Sequence, residues 1–144
     1  MKSFLPFCLI ASLLVGVSGC AHAPLPLHSS GEPEAIQAAK TWLALADSEK
    51  YAESWETASA LFKKAVTPQD WRRAMEAVRV PLGKLVSRKL KSAEYKTALP
   101  GAPDGEYVVI QFETVFENKK GAVETVTPMK EKDGVWRVSG YFIK

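Results

Sequence analysis

From Gly105 to Lys144 apolar and polar side chains alternate with a period of two, which predicts three consecutive antiparallel strands sharing one apolar face. Asp133-Gly134, between Met129-Lys-Glu-Lys and Val135-Trp-Arg-Val, predicts a two-residue type I′ hairpin, since that turn needs positive φ at both central positions. Such a loop sets Glu131 opposite Trp136, Met129 opposite Val138, Thr127 opposite Gly140 and Thr125 opposite Phe142. A preceding turn over Asn118-Lys119-Lys120-Gly121 pairs Phe116 with Val123, Phe112 with Thr127 and Ile110 with Met129. Both turns then place Val108, Ile110, Phe112, Phe116, Met129, Trp136, Val138 and Phe142 on the covered face, with Gln111, Glu113, Glu124, Lys130 and Arg137 on the other. Pro128 has no N–H to give a neighbouring strand, so a bulge is expected there.

Upstream the period changes to that of helices. Ile36, Ala39, Leu43 and Ala46, with Trp42 beside them, predict a helix over Glu34–Asp47, broken by Asp47-Ser48. A second helix carries Tyr51, Trp55, Ala58 and Phe62 on one face. Thr67-Pro68-Gln69-Asp70 is a helix start, with Thr67 as N-cap and Pro68 where no donor is needed. Trp71, Ala74, Met75 and Val78 form the stripe of that third helix, and Pro81 and Gly83 end it. Residues 83–95 follow as a poorly alternating strand, as an edge position explains, and Leu99-Pro100-Gly101-Ala-Pro103-Asp104-Gly105 is the loop into the last three strands. The expected fold is α+β: three N-terminal helices packed on a curved four-stranded antiparallel sheet.

The N-terminus reads as an address. Lys2, the apolar run Phe4–Val17 and the small residues Ser18 and Gly19 before Cys20 have the layout of an export signal, and the run is short for a membrane span. Val17-Ser18-Gly19-Cys20 resembles the bacterial lipobox, which implies cleavage before Cys20, acylation of that cysteine and lasting attachment to a membrane. An ordinary cleaved signal or a retained hydrophobic anchor is the alternative. By the same resemblance, Ala21 rather than an aspartate after the cysteine implies the periplasmic side of the outer membrane. The chain thus divides into a signal peptide (1–19), a lipidated tether (20–32) and a single domain (33–144).

Several chemistries fall away on composition. Cys8 belongs to the signal and Cys20 to the anchor, so the mature domain has no thiol for a disulfide, a nucleophile or a metal. His22 and His28 lie in the proline- and serine-bearing tether, as solvated spacers or at most a chance metal pair, and the domain itself has no histidine. A Ser/His/Asp or Cys/His centre is thereby excluded, although lysine-based nucleophiles are not. No phosphate-cradling glycine loop opens a helix. Charge is uneven: Lys63–Lys96 holds ten basic and three acidic residues, whereas Ala21–Phe62 holds two basic and six acidic. A solvated helix and an edge strand blunted by Lys84, Arg88, Lys89 and Lys91 account for this, and a face resting on anionic lipid is the alternative. Nucleic acid is not indicated, as no stacking aromatics accompany the lysines.

Trp42-Leu43, Asp47, Tyr51-x-x-Ser54-Trp55, Arg79-x-Pro81-Leu82-Gly83, Ser87-Arg88, Leu99-Pro100-Gly101-x-Pro103-x-Gly105-x-Tyr107, Phe116-x-Asn118-Lys119, Glu124-Thr125-Val126-Thr127 and Trp136-x-Val138-x-Gly140-Tyr141 resemble the bacterial domain-of-unknown-function family 4019. That resemblance implies no activity. The order of helices and strands also resembles a reduced nuclear-transport-factor-2-like cone, a group of binding proteins, adaptors and small enzymes whose fold alone does not give function. Two pairs of residues are candidates for ligand binding. Tyr51 and Trp55, one helical turn apart, could line a pocket or simply be core. Arg79 and Arg88 could present two forks to a carboxylate or phosphate, or tie the helix-to-strand junction to a nearby acid such as Glu76 or Glu94. The reading is a non-catalytic binding or interaction module at the cell envelope, monomer or homodimer, with no cofactor. A small enzyme using a glutamate or tyrosine in the cone is the alternative, and Glu131 is the one ionisable residue on the expected covered face.

Overall fold

The computed structural model describes residues 31–144; the expected export signal, the acylation expected at Cys20 and the start of the tether lie outside the described residues. In chain order come α1 (Glu32–Asp47), α2 (Tyr51–Glu56), α3 (Ala60–Ala65), α4 (Pro68–Leu82), β1 (Leu85–Lys96), β2 (Glu106–Phe116), β3 (Lys119–Lys130) and β4 (Trp136–Ile143). The strands form one open antiparallel sheet in the order β1-β2-β3-β4, with β1 at an edge as its weak alternation predicts. The fold is α+β. Its core lies between the helices and one sheet face, where Trp42, Leu43, Phe62, Trp71 and Met75 meet Val108, Ile110, Phe112, Val126 and Val138.

Helix α1 buries Ala35, Ala39, Trp42, Leu43 and Ala46, a stripe of mostly small residues that lets its backbone approach the sheet closely. The helix is entered through Gly31 at φ 65°, and a Cβ there would stand 2.6 Å from the Trp136 ring. Glycine is required on both counts.

The expected second helix is two short ones, so the domain has four helices rather than three. Thr57 Oγ1 donates back to the Glu53 carbonyl at 2.8 Å, and the Ser59 N–H leaves the helix path to bond the Val138 carbonyl at 2.9 Å. Ser59 Oγ then accepts the Phe62 N–H at 3.1 Å and starts α3. Hydroxyl side chains that compete for backbone groups favour such breaks and caps. Helix α4 begins as expected, with Thr67 Oγ1 accepting the Asp70 N–H at 3.2 Å. It runs through Pro81 to Leu82 before Gly83 ends it, so Pro81 sits inside the last turn rather than beyond it.

Both hairpins differ from the expected registers. The β2–β3 turn is Glu117-Asn118, with Phe116 opposite Lys119 and Ile110 opposite Val126, three residues from the expected pairing. Tertiary contacts explain it. The Glu117 N–H bonds the Lys84 carbonyl (2.9 Å), the Asn118 N–H bonds that of Leu82 (3.0 Å), and Asn118 Nδ2 reaches that of Pro81 (3.0 Å). The turn is thus pinned to the α4–β1 junction, which no local turn preference records. An odd shift turns a strand over. Ala122, Glu124 and Val126 consequently face the helices, while Thr125, Thr127 and Met129 take the other side.

At the β3–β4 hairpin the Glu131 N–H donates to the Val135 carbonyl at 3.0 Å, leaving the three-residue loop Lys132-Asp133-Gly134. Gly134 has φ 79° and Asp133 does not share its positive φ, so this is a type I turn closed by a left-handed glycine rather than a type I′ turn. Lys130 therefore faces Trp136 and Met129 faces Arg137. The predicted bulge lies where Pro128 places it: Pro128 pairs with Val138, Thr127 with Gly140, and Ser139 is the extra residue. One residue gained at the loop is cancelled at the bulge, so Thr127–Gly140 and Thr125–Phe142 pair as expected. Parity changes at Ser139. Trp136, Val138 and Tyr141 point to the helices, whereas Phe142 turns away, 49% exposed.

Candidate functional site

The densest polar arrangement in the domain lies inside it, where six elements each contribute one side chain: Asp47 ends α1, Arg79 lies in the last turn of α4, Arg88 on β1, Thr114 on β2, Glu124 on β3 and Tyr141 on β4. Arg79 arrives by helical spacing, since Trp71, Met75 and Arg79 succeed one another by four residues on the buried side of α4. The expected stripe put Val78 there. Val78 is instead 45% exposed and Arg79 only 6%.

Glu124 is fully buried. Its Oε1 accepts the Tyr141 hydroxyl at 2.6 Å, Arg88 Nη2 at 3.1 Å and Arg79 Nη1 at 3.4 Å. Its Oε2 accepts Arg88 Nε at 2.5 Å and the Thr114 hydroxyl at 2.6 Å. Asp47 takes the outer prongs: Oδ1 accepts Arg79 Nη2 (2.6 Å) and Arg88 Nη2 (2.9 Å), and Oδ2 accepts Arg88 Nη1 (2.7 Å). Arg79 also donates to the Tyr141 hydroxyl at 3.3 Å and lies 4.8 Å from the Phe116 ring centre. Two guanidinium groups and two carboxylates cancel in charge, and Arg88 holds both carboxylates at once.

Burial raises the Asp47 carboxyl, but hydrogen bonds from Arg88 and Arg79, with their charges, outweigh it and hold the group below the ordinary carboxylate range. For Tyr141 the influences add instead: burial first, then the Glu124 carboxylate, push its hydroxyl well above the ordinary tyrosine value against the opposing effect of Arg79. Burial works against the Arg88 cation, and its bonds to Asp47 and Glu124 more than restore it. The result is a neutral clamp between helices and sheet, with Glu124 enclosed by internal donors and Asp47 bonded to both arginines at its partly exposed rim.

The clamp settles where the candidate forks point. Both Arg79 and Arg88 are engaged by acids, yet these are Asp47 and Glu124, distant in sequence, and not Glu76 or Glu94. Glu76 pairs with Arg72 at 2.8 Å and Glu94 with Lys96 at 2.8 Å. Glu131 lies at the surface side of the hairpin, where Oε1 accepts the Ala60 N–H (2.7 Å) and Oε2 pairs with Arg137 (2.7 Å). Trp55 is part-buried and its Nε1 donates to the Val66 carbonyl at 2.8 Å, joining α2 to the end of α3. Tyr51 packs its ring in the core and lines an open cleft beside α4.

Asp47, Thr114, Glu124 and Tyr141 were not among the candidates. A usable signal was present, because Asp47, Arg79, Arg88, Glu124 and Tyr141 all stand in the blocks that carry the family resemblance. Among the described residues no group of three or more His, Cys, Asp or Glu side chains is placed to hold a metal ion, and no helix is long and apolar enough to cross a membrane. No curated protein and no solved structure shows significant similarity to the chain. A family model matches residues 38–141, a span that takes in all six residues of the clamp, and the chain belongs to the family described as Protein of unknown function (DUF4019).

Proposed function

We propose that this protein is a cell-envelope lipoprotein, acylated on Cys20, whose α+β domain serves as a non-catalytic interaction module. The anchor is supported by the lipobox-like Val17-Ser18-Gly19-Cys20 behind a short apolar run. One observation carries the non-catalytic part: the fully buried Glu124 and the part-buried Tyr141 beside it are committed to each other and to two arginines. A general base needs a lone pair free to meet a substrate proton. Glu124 has each oxygen occupied by at least two donors, so substrate could reach it only by displacing the contacts that hold helices to sheet.

Metabolic labelling with an alkyne-bearing palmitate tests the anchor. The wild-type chain is expected to incorporate label and partition with membranes, and Cys20→Ala to lose both. Undiminished labelling of Cys20→Ala would remove the lipoprotein reading. Photocrosslinking in intact envelopes tests the module: a defined adduct to an envelope protein is expected, and a domain that forms none would contradict an interaction role.

A further inference from the structure

The sheet has two faces, and the helices cover only one. On the other, residues paired across strands stand side by side. One row runs Lys89, Glu113, Val123 and Lys144: Lys89 pairs with Glu113, Glu113 with Val123, and Val123 and Lys144 exchange backbone bonds of 3.0 and 3.1 Å. The next row inward is Gln111, Thr125 and Phe142. Ser87, Lys89, Glu113, Val115, Lys120 and Val123 surround a shallow depression of about 340 Å³ on this face. The far end of the same face is closed by the chain itself, where Tyr107 is fully buried and its hydroxyl donates to the Pro103 carbonyl at 2.6 Å. At the near end Lys89, Lys120, Phe142 and Lys144 are exposed.

Charge at that end has one sign. The lysines held in ion pairs are Lys50, Lys91, Lys96 and Lys130. Glu113, the acid of the row, is met by Lys91 at 3.9 Å, so Lys89, Lys120 and Lys144 keep a charge that no acid among the described residues offsets. Of the basic run Lys63–Lys96, Arg79 and Arg88 turn inward to the clamp, while Lys89 turns outward to this face. Phe142, 49% exposed, stands beside the lysines, with the Lys144 ammonium 5.6 Å from its ring centre. The half-buried Val115 and Val123 complete a small apolar floor. The opposite side of the domain has the opposite sign: on α1, α2 and their connection, Glu34, Glu49, Glu53 and Glu56 are exposed against Lys40 and Lys50.

We propose that this end of the sheet rests on a bilayer surface bearing anionic lipid headgroups, with Lys89, Lys120 and Lys144 at the phosphates and Phe142 at the headgroup boundary. Charge complementarity selects the occupant. Lysine is a flexible, hydrated point charge that suits mobile headgroups, whereas fixed carboxylates on a protein are met best by the arginine fork. The arginines here are committed elsewhere: Arg79 and Arg88 to the clamp, and Arg137 to Glu131 and Asp133. The same surface repels the acids of α1 and α2, which leaves the outer sheet face as the side that turns toward it. The inference rests on acylation of Cys20, which holds the domain at the bilayer so that weak attractions suffice to orient it. Ten residues separate Cys20 from Gly31, enough to span about 33–36 Å when extended, against about 10 Å between packed layers.

The test places the mature acylated chain, 15N-labelled, in nanodiscs of phosphatidylcholine alone or of phosphatidylcholine and phosphatidylglycerol in equal parts, each doped with a nitroxide-headgroup phosphatidylcholine. In the anionic discs the amide signals of Lys89, Lys120, Val123 and Phe142 are expected to broaden while those of α1 stay sharp. In the neutral discs that contrast is expected to vanish. Lys89→Gln, Lys120→Gln and Lys144→Gln should each weaken the contact by about fivefold, the usual effect of one lysine at an anionic surface. Lys40→Gln, on α1, should leave it unchanged. Raised salt should release the face as the Debye length shortens. Broadening alike in both lipids, broadening centred on α1, or a contact indifferent to the three lysines would overturn the proposal. So would a face untouched in either disc, the result expected if an acidic protein or a second copy of the chain covers it. Palmitate labelling reads the anchor independently, so failure of the face and failure of the anchor are distinguishable.

Discussion

Glu49 adopts φ 58° because α1 ends in a Schellman motif: the Lys50 N–H bonds the Leu45 carbonyl at 2.9 Å and the Glu49 N–H that of Ala46 at 3.2 Å. A side chain in that left-handed conformation costs about 1–2 kcal/mol, a penalty glycine escapes. Glu49→Gly is therefore expected to raise the free energy of unfolding by about 1 kcal/mol in urea titration, even as it removes a surface carboxylate. An unchanged or lower denaturation midpoint would contradict this. The helix stop at Asp47-Ser48 was legible, but its conformation was not, since glutamate carries no turn signature. Val78 and Arg79 show a related limit. Hydrophobicity chose the valine for the buried stripe, whereas the i, i+4, i+8 series from Trp71 through Met75 chose the arginine, and only the acids waiting in the core make that choice favourable.

Elements were legible where their cause is local. The Thr67-Pro68 start of α4, the edge strand β1 and the irregularity at Pro128 depend on caps, alternation and a missing N–H, all of which lie in adjacent residues. Register was lost where the cause is distant: Glu117-Asn118 turns tightly because its backbone bonds Lys84 and Leu82 across the fold. That error carried Glu124 to the wrong face and hid the clamp. The split between α2 and α3 follows the same rule, as the Ser59 N–H is drawn to Val138 on β4. Ser59 is fully buried and caps α3 through its hydroxyl. Ser59→Ala should lower stability by about 1 kcal/mol, the usual worth of an N-cap, without altering the β4 signals in an NMR spectrum. A neutral substitution would mean that α3 is held by packing alone.

At the scale of the molecule, the α+β class and the covered face of β2 were legible, because Val108, Ile110 and Phe112 alternate regardless of how the neighbouring strand is paired. What joins the layers was not, because the clamp draws one residue from each of six elements and has no local signature. It does have a pH signature. Asp47 titrates below its unfolded value in the folded protein, so its contribution is present above about pH 4 and fades as pH falls through the lowered value. Tyr141 is raised, so its contribution is complete below about pH 10 and is lost as pH climbs past that value. Stability should be flat through neutrality and fall on both sides. Tyr141→Phe should abolish the part of the alkaline decline due to this residue, and an unchanged alkaline limb would show that Tyr141 does not titrate against Glu124.

The most direct measurement is a double-mutant cycle in urea with Arg88→Met, Glu124→Leu and the combined variant. Each single change strands a buried charge and is expected to destabilise by about 3–5 kcal/mol, while the double variant loses far less than the sum. Single losses below about 1 kcal/mol that simply add would contradict a clamp between Arg88 and Glu124.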